Sequence, residues 1–241
     1  AWADPSNVDT SSTKADQSAS ETSTAQGQTT PAPSHSQVSD VKQALAKNVD
    51  DVVSGIQAFY RNAQDLKAEF EQTYTYTQMG RTQSKSGKVF FKKPSRMRWD
   101  YKKPVPQVFV SDGSVLWVYQ PTEAQVFKQD LNQSQLPVAL TFMSGRGELK
   151  SEFDARLIDD EERPDSYTVQ LTPKKSEVNY KSVVLTVRKS DFSVLMSVVV
   201  DPVGNENKLV FNRVTQNAGI PDRAFEFQMP KGVRVIEGPA N

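Results

Sequence analysis

Residues 66–77 read Leu-Lys-Ala-Glu-Phe-Glu-Gln-Thr-Tyr-Thr-Tyr-Thr, and their period is two. Leu66, Ala68, Phe70, Gln72, Tyr74 and Tyr76 share one side of an extended chain; Lys67, Glu69, Glu71, Thr73, Thr75 and Thr77 share the other. Successive side chains of a strand point to opposite faces, so this is a long strand with one wet side, suited to an antiparallel sheet.

Downstream, short extended segments follow one another closely. The pattern predicts strands near 85–91, 96–101, 107–111, 114–120 and 125–128. After an interruption it predicts strands near 152–159, 166–172, 182–188, 194–201, 208–216 and 224–228. Asp112-Gly113 is a two-residue hairpin signal between two of them. Turns are expected at Arg163-Pro164-Asp165, Lys189-Ser190-Asp191 and Pro202-Val203-Gly204-Asn205. No strand–helix–strand alternation appears, so every pairing is expected to be antiparallel. A single twisted sheet of about a dozen strands must curl or close. The fold expected is mostly β with some α (α+β), an incomplete, half-open antiparallel barrel of about eleven or twelve strands with helices on its concave side.

Upstream, Val38, Val41, Leu45, Val49, Val52, Val53, Ile56 and Phe59 recur at steps of three and four. That spacing predicts one amphipathic helix, capped by Ser39 or Asp40 and ending near Tyr60. Residues 1–37 are rich in Ser, Thr, Ala, Gln and Pro and carry too little apolar surface to offset ordering entropy. They are read as a disordered tail, and residues 38–241 as the folded domain. The interruption at 131–147 is crowded with Leu136, Val138, Ala139, Leu140, Phe142 and Met143, with Pro137 placed for a first helical turn. It predicts a short, very apolar helical segment.

Composition narrows the function. Lys plus Arg and Asp plus Glu both number 29, so the net charge is zero and no nucleic-acid partner is expected. No apolar run is long enough to span a bilayer. There is no cysteine, which removes thiol chemistry and cysteine metal sites, and the chain is expected not to be a lipoprotein itself. Ala1-Trp2-Ala3 before Asp4 has the form of a signal-peptide cleavage site, which points to export.

Two motifs now combine. Lys93-Pro94 with Arg96-Met97-Arg98-Trp99, then Val110-Ser111-Asp112-Gly113-Ser114-Val115-Leu116-Trp117-Val118-Tyr119, resembles the core of the LolA family. The strand carrying Leu66, Ala68, Phe70 and Gln72 precedes it, as in that family. The ending Phe225-Glu226-Phe227-Gln228-Met229-Pro230-Lys231-Gly232-Val233, followed by Val235, is similar to the family's last strands. The resemblance spans roughly residues 41–237. It implies a half-barrel with a helical lid, and a monomeric, soluble periplasmic carrier for lipoprotein acyl chains. Its partners would be acylated lipoproteins, an inner-membrane lipoprotein ABC transporter and, where one exists, an outer-membrane receptor. No cofactor is implied.

On that reading Phe70, Tyr74, Val89, Phe91, Met97, Trp99, Leu116 and Val118 are the acyl-chain cavity candidates. Leu116 and Val118 alternate with the equally apolar Trp117 and Tyr119, so the pattern itself leaves open which pair faces the cavity. Leu136, Leu140, Phe142 and Met143 are the lid candidates; methionine suits a surface that must accept varied chains. The family carries a basic residue, usually arginine, just before the proline of this core, and it holds the lid through backbone carbonyls. Here that position is Lys93. Lysine lacks the planar fork of donors, so a weaker or differently built latch is expected, with a solvated strand-end lysine as the alternative. Strand parity puts Lys93 on the face of Met97 and Trp99, with Arg96 and Arg98 on the other.

An enzyme is not expected, and no catalytic or metal-binding residue is assigned. His35, the one histidine, stands in the predicted tail, so no Ser-His-Asp or histidine metal site can be assembled. Asp154, Asp159, Asp160, Glu161 and Glu162 lack the spacing of a calcium loop and read as a solvated hairpin. The rival reading is a half-barrel module that senses lipid or lipoprotein in an envelope-stress or glycolipid-handling system. A plain scaffold would leave the apolar stretch 136–143 unexplained.

Overall fold

A computed structural model describes residues 48–131, 148–177 and 179–237. The predicted tail, the first part of the predicted helix and the lid candidates Leu136, Leu140, Phe142 and Met143 lie outside the described residues.

Helix α1 spans Val49–Asn62. Asn48 caps it in extended conformation, its side-chain oxygen accepting from Asp51 N at 2.9 Å. A single helix running through from Val38 is therefore not what forms. The asparagine starts this helix, with Asp50 and Asp51 favourably placed against the positive end of its dipole. Val52, Val53, Ile56 and Tyr60 are its buried stripe. A four-residue helix, α2 (Leu149–Glu152), is the other α-helix of the described residues.

Twelve strands make one sheet. They are β1 (Asp65–Tyr76), β2 (Arg81–Lys92), β3 (Arg96–Lys103), β4 (Gln107–Ser111), β5 (Val115–Gln120) and β6 (Gln125–Asp130), then β7 (Phe153–Ile158), β8 (Ser166–Pro173), β9 (Ser182–Arg188), β10 (Val194–Val200), β11 (Glu206–Gln216) and β12 (Arg234–Glu237). Their order is β12-β6-β5-β4-β3-β2-β1-β11-β10-β9-β8-β7. The sheet is open, with β12 and β7 at its two edges, and the half-barrel class expected from the period-two segments is what forms.

Three local expectations are corrected. Residues 224–228 are not a strand: Asp222–Phe225 is a turn of 3-10 helix. Ala224 N donates to Pro221 O and Glu226 N to Arg223 O, so these amides are used locally rather than in a ladder. The last strand is instead β12, and it pairs parallel to β6, because the chain first crosses the outer side of the sheet and re-enters in the same direction. Asp112-Gly113 does not form a two-residue turn; the last ladder pair is Ser111 with Leu116. Asp112 Oδ1 accepts from Ser114 N at 2.8 Å and Val115 N at 3.0 Å, which widens the loop. Those two backbone donors also hold the Asp112 carboxyl below its usual range.

Candidate functional site

Register decides which side chains meet. Ala68, Val89, Trp99, Phe109, Val118 and Phe127 stand opposite one another across β1–β6, as do Leu66, Phe91, Met97, Ser111 and Leu116. On the other half, Leu157, Val169, Leu185, Ser197 and Leu209 continue one face through β7–β11. Phe70 pairs with Phe211, joining the halves. The result is one apolar concave face built from both halves of the sheet.

Its floor is aromatic. The Trp99 ring meets Phe70 edge-on at 4.8 Å and Phe91 at 5.9 Å, and lies over Tyr101 at 6.3 Å. Gly87 is paired with both Phe70 and Tyr101. It has no side chain to separate them, so their rings touch edge-on at 4.9 Å. A Cβ at this position would fall 2.1 Å from Asp100 O, so any side chain there would force β2 and β3 apart.

Helix α1 packs on this face through Val52, Val53, Ile56 and Tyr60. Gly55 lets it sit close: a Cβ there would come 2.7 Å from the Phe192 ring. Its last turn is held by side chains from the sheet. Lys93 Nζ donates to Arg61 O. Gln216 Nε2 donates to Phe59 O at 3.0 Å. A cation at a helix C-terminus is favoured by the helix dipole, and Gln216 adds a second donor to Phe59 O, which also accepts from Ala63 N at 3.3 Å. On the same helix, the Tyr60 hydroxyl accepts from Val194 N at 3.4 Å, and burial raises its pKa far above the ordinary phenol range. Gln57 Oε1 accepts from Leu149 N at 3.0 Å.

Two buried polar atoms, Trp99 Nε1 and Ser197 Oγ, have no hydrogen-bond partner among the described residues. Such an orphan costs about 1–3 kcal/mol. Ser197→Ala is therefore expected to stabilise the protein by roughly 1 kcal/mol and to raise its melting temperature by about 2–4 °C. A fall in the melting temperature on calorimetry would show that the hydroxyl has a partner in solution.

The opposite face is covered by the C-terminal strap, residues 217–233. Buried Asp65 fastens its start, accepting from Ala218 N at 2.6 Å and Ile220 N at 3.0 Å. Asp222 accepts from Lys92 at 2.6 Å and Arg96 at 2.8 Å, and these two cations hold its carboxyl below the ordinary range. Arg98 reaches Ala224 O at 3.2 Å. Phe227 stacks on Trp117 at 5.4 Å and lies against Tyr119 at 6.0 Å.

Seven of the eight cavity candidates are thus brought together: Phe70, Val89, Phe91, Met97, Trp99, Leu116 and Val118 are buried in the concave cluster. The choice left open at 115–119 is resolved in position, with Leu116 and Val118 inward and Trp117 and Tyr119 on the strap side. Tyr74 is not in that cluster. It lies further along the same strand, half-buried beside Tyr76 at 4.6 Å. Lys93 stands at the end of the helix, and Arg96 and Arg98 point the other way. Sequence reasoning missed Gln216, whose isolated polar side chain gives no pattern. It also missed Leu209, Phe211 and the inward residues of β7–β9, whose alternation was visible but had no register to join it to β1. Among the described residues no group of three or more His, Cys, Asp or Glu side chains is placed to hold a metal. In the acidic turn, Asp160 is held by Arg163 at 2.7 Å and Thr168 at 3.0 Å.

Known proteins bear on this architecture. The family model of the outer membrane lipoprotein carrier protein LolA matches residues 61–228. The outer-membrane lipoprotein carrier protein of Chromobacterium violaceum is 31% identical over 188 residues, covering 77% of this chain and 87% of that protein. The outer-membrane lipoprotein carrier protein of Alkalilimnicola ehrlichii is 32% identical over 181 residues, covering 74% and 80%. Among solved structures, an uncharacterized conserved protein from Thermus thermophilus shares the fold, with a TM-score of 0.52 at 12% identity over 78% of this chain and 98% of that one. With its apolar concave face, its covering helix and these relatives, the chain belongs to the LolA family of outer membrane lipoprotein carrier proteins.

Proposed function

We propose that this protein is a periplasmic carrier that shelters the acyl chains of lipoproteins on its concave face and shuttles them from an inner-membrane ABC transporter to the outer membrane. The observation that carries the reading is the continuous apolar face from Phe70 to Val118, covered by a helix whose last turn is tied down by the side chains of Lys93 and Gln216. An exposed acyl methylene is unfavourable in water by about 0.8 kcal/mol, so a carrier needs a large apolar face that closes when empty. Cargo would enter as α1 and the apolar segment 136–143 lift away. Leu136, Leu140, Phe142 and Met143 would act as lid contacts, and Lys93 as the latch that restores the closed state. No step calls for bond chemistry, in keeping with a family of carriers.

The reading is tested by supplying purified protein to inner-membrane vesicles that hold the transporter and an acylated lipoprotein. The expected result is release of cargo in a soluble one-to-one complex. If cargo stays on vesicles from which another carrier of the family extracts it, the shuttle reading is wrong.

A further inference from the structure

The strands all end on one of two rims, and the rims differ. At one rim lie the turns after β1, β3, β5, β8 and β10; at the other lie Lys93, the loop at Asp112, the acidic turn 159–165 and the turn at Asp191. Exposed large apolar side chains mark the turns of the first rim. Met79 is 77% exposed after β1, Val105 is 52% exposed after β3, and Val203 is 61% exposed after β10. The turns of the second rim contribute none to the exposed apolar side chains of the described residues.

Two of these turns are locked together. Thr77 N donates to Asn205 Oδ1 at 3.2 Å, and Thr77 Oγ1 to Gly204 O at 2.6 Å. The second turn is stiffened from within, Asp201 Oδ1 accepting from Val203 N at 3.0 Å and Asn205 N at 2.8 Å. Met79 and Val203 are therefore held outward on a rigid double tip. A Cβ on Gly80 or on Gly204 would meet nothing within 4 Å, so the tip projects into open space. Below it, Tyr74 and Tyr76 sit half-buried with their rings 4.6 Å apart.

Charge follows the same axis, although the whole chain is neutral. Exposed Lys102, Lys103, Lys174, Lys175 and Lys181, with Arg81, crowd the first rim. The second holds exposed Asp112, Asp159, Glu161, Glu162, Asp165 and Asp191.

We infer that the first rim is a docking surface for an anionic lipid bilayer, with Met79, Val105 and Val203 entering the interfacial layer and the lysines on the headgroups. A projecting apolar tip finds no footing on a flat protein surface, whereas a bilayer receives it at any angle. Tyrosines behind apolar tips and a basic rim are the side chains that the membrane interface favours. The acidic rim is repelled by the same surface, so the molecule docks in one orientation. This rests on the carrier reading for its purpose: the concave face runs from Phe70 towards Tyr74 and this rim, the route by which acyl chains would leave or rejoin a membrane.

The test is co-sedimentation of cargo-free protein with vesicles of phosphatidylcholine and phosphatidylglycerol. The full chain is expected to sediment, less so at high salt. The variant M79S/V105S/V203S should partition about tenfold more weakly. The variant K102Q/K103Q should lose the dependence on phosphatidylglycerol, and E161Q/E162Q should sediment like the parent. Acyl-peptide solubilisation without vesicles should be the same in all of them. Parent protein that stays in the supernatant overturns the proposal, as do apolar-tip and lysine variants that sediment like the parent. Sedimentation only with vesicles that carry membrane protein also overturns it, assigning the rim to a protein partner. None of these outcomes touches the shelter of acyl chains, which is read separately.

Discussion

Trp99→Ala is expected to lower the stability of the protein by about 3–5 kcal/mol, the range for removing a buried tryptophan. Trp99 is 2% exposed and touches aromatic rings from β1, β2 and β3. Deleting it leaves a void that strands held in one ladder cannot close, so the cavity adds to the lost transfer energy. Trp99→Phe keeps most of the ring contact and removes the orphaned Nε1, so it should lose no more than about 1.5 kcal/mol. Urea denaturation of the two variants decides the matter. Equal midpoints for Trp99→Ala and the parent would remove Trp99 from the floor of the concave face. Binding of an acylated peptide adds the functional reading: Trp99→Phe should keep it, since a concave face recognises acyl chains by surface and not by an indole N–H.

Lys93→Leu is expected to shift the protein towards its open form and to leave cargo trapped. Lys93 is half-buried, and its bond to Arg61 O joins a charge to a carbonyl at the end of a helix dipole. Discounting for solvent, that contact is worth about 1.5 kcal/mol, or tenfold in the open-to-closed ratio. Gln216→Ala removes the second, neutral tie at Phe59 O, for about 1 kcal/mol. Together the two changes should favour the open form by roughly 60-fold. An open form that no longer regains its closed contacts has less to gain from giving up cargo, so transfer to an outer-membrane acceptor should fall while uptake persists. Lys93→Arg should restore transfer, because a guanidinium supplies the same donor. Amide exchange in residues 52–60 gives an independent view and should quicken in step with the loss of transfer. Should exchange and transfer both stay at parental levels in the double variant, the two side chains do not latch the helix.

How much of this was legible beforehand depends on the range of the interaction. Parity is local, so Leu66, Ala68 and Phe70 could be assigned to one face from the alternation alone, and Met97 and Trp99 were separated from Arg96 and Arg98 in the same way. The helix was legible as a stripe, but its start was not. The side-chain oxygen of Asn48 caps the helix at Val49, and an apolar period carries no trace of that. Residues 224–228 misled for a related reason. Phe225 and Phe227 alternate as in a strand, yet the backbone spends its amides in a turn and the aromatic rings cover the outer face of the sheet.

The site divides along the same line. The sequence by itself determined the mostly-β architecture, the absence of cysteine and of a usable histidine, and the apolar character of the segments that form the concave face, since each is a property of composition or of period two. Only the tertiary structure decided that Leu116 and Val118, rather than Trp117 and Tyr119, turn inward. Both pairs are apolar, and the choice falls to what covers each face: α1 on one side, the strap with Phe227 on the other. The tertiary structure likewise set Gln216 beside Lys93 at the end of α1 and gathered Met79, Val105 and Val203 on one rim. Those residues are far apart along the chain, and their meeting depends on the register of ladders that no local pattern encodes.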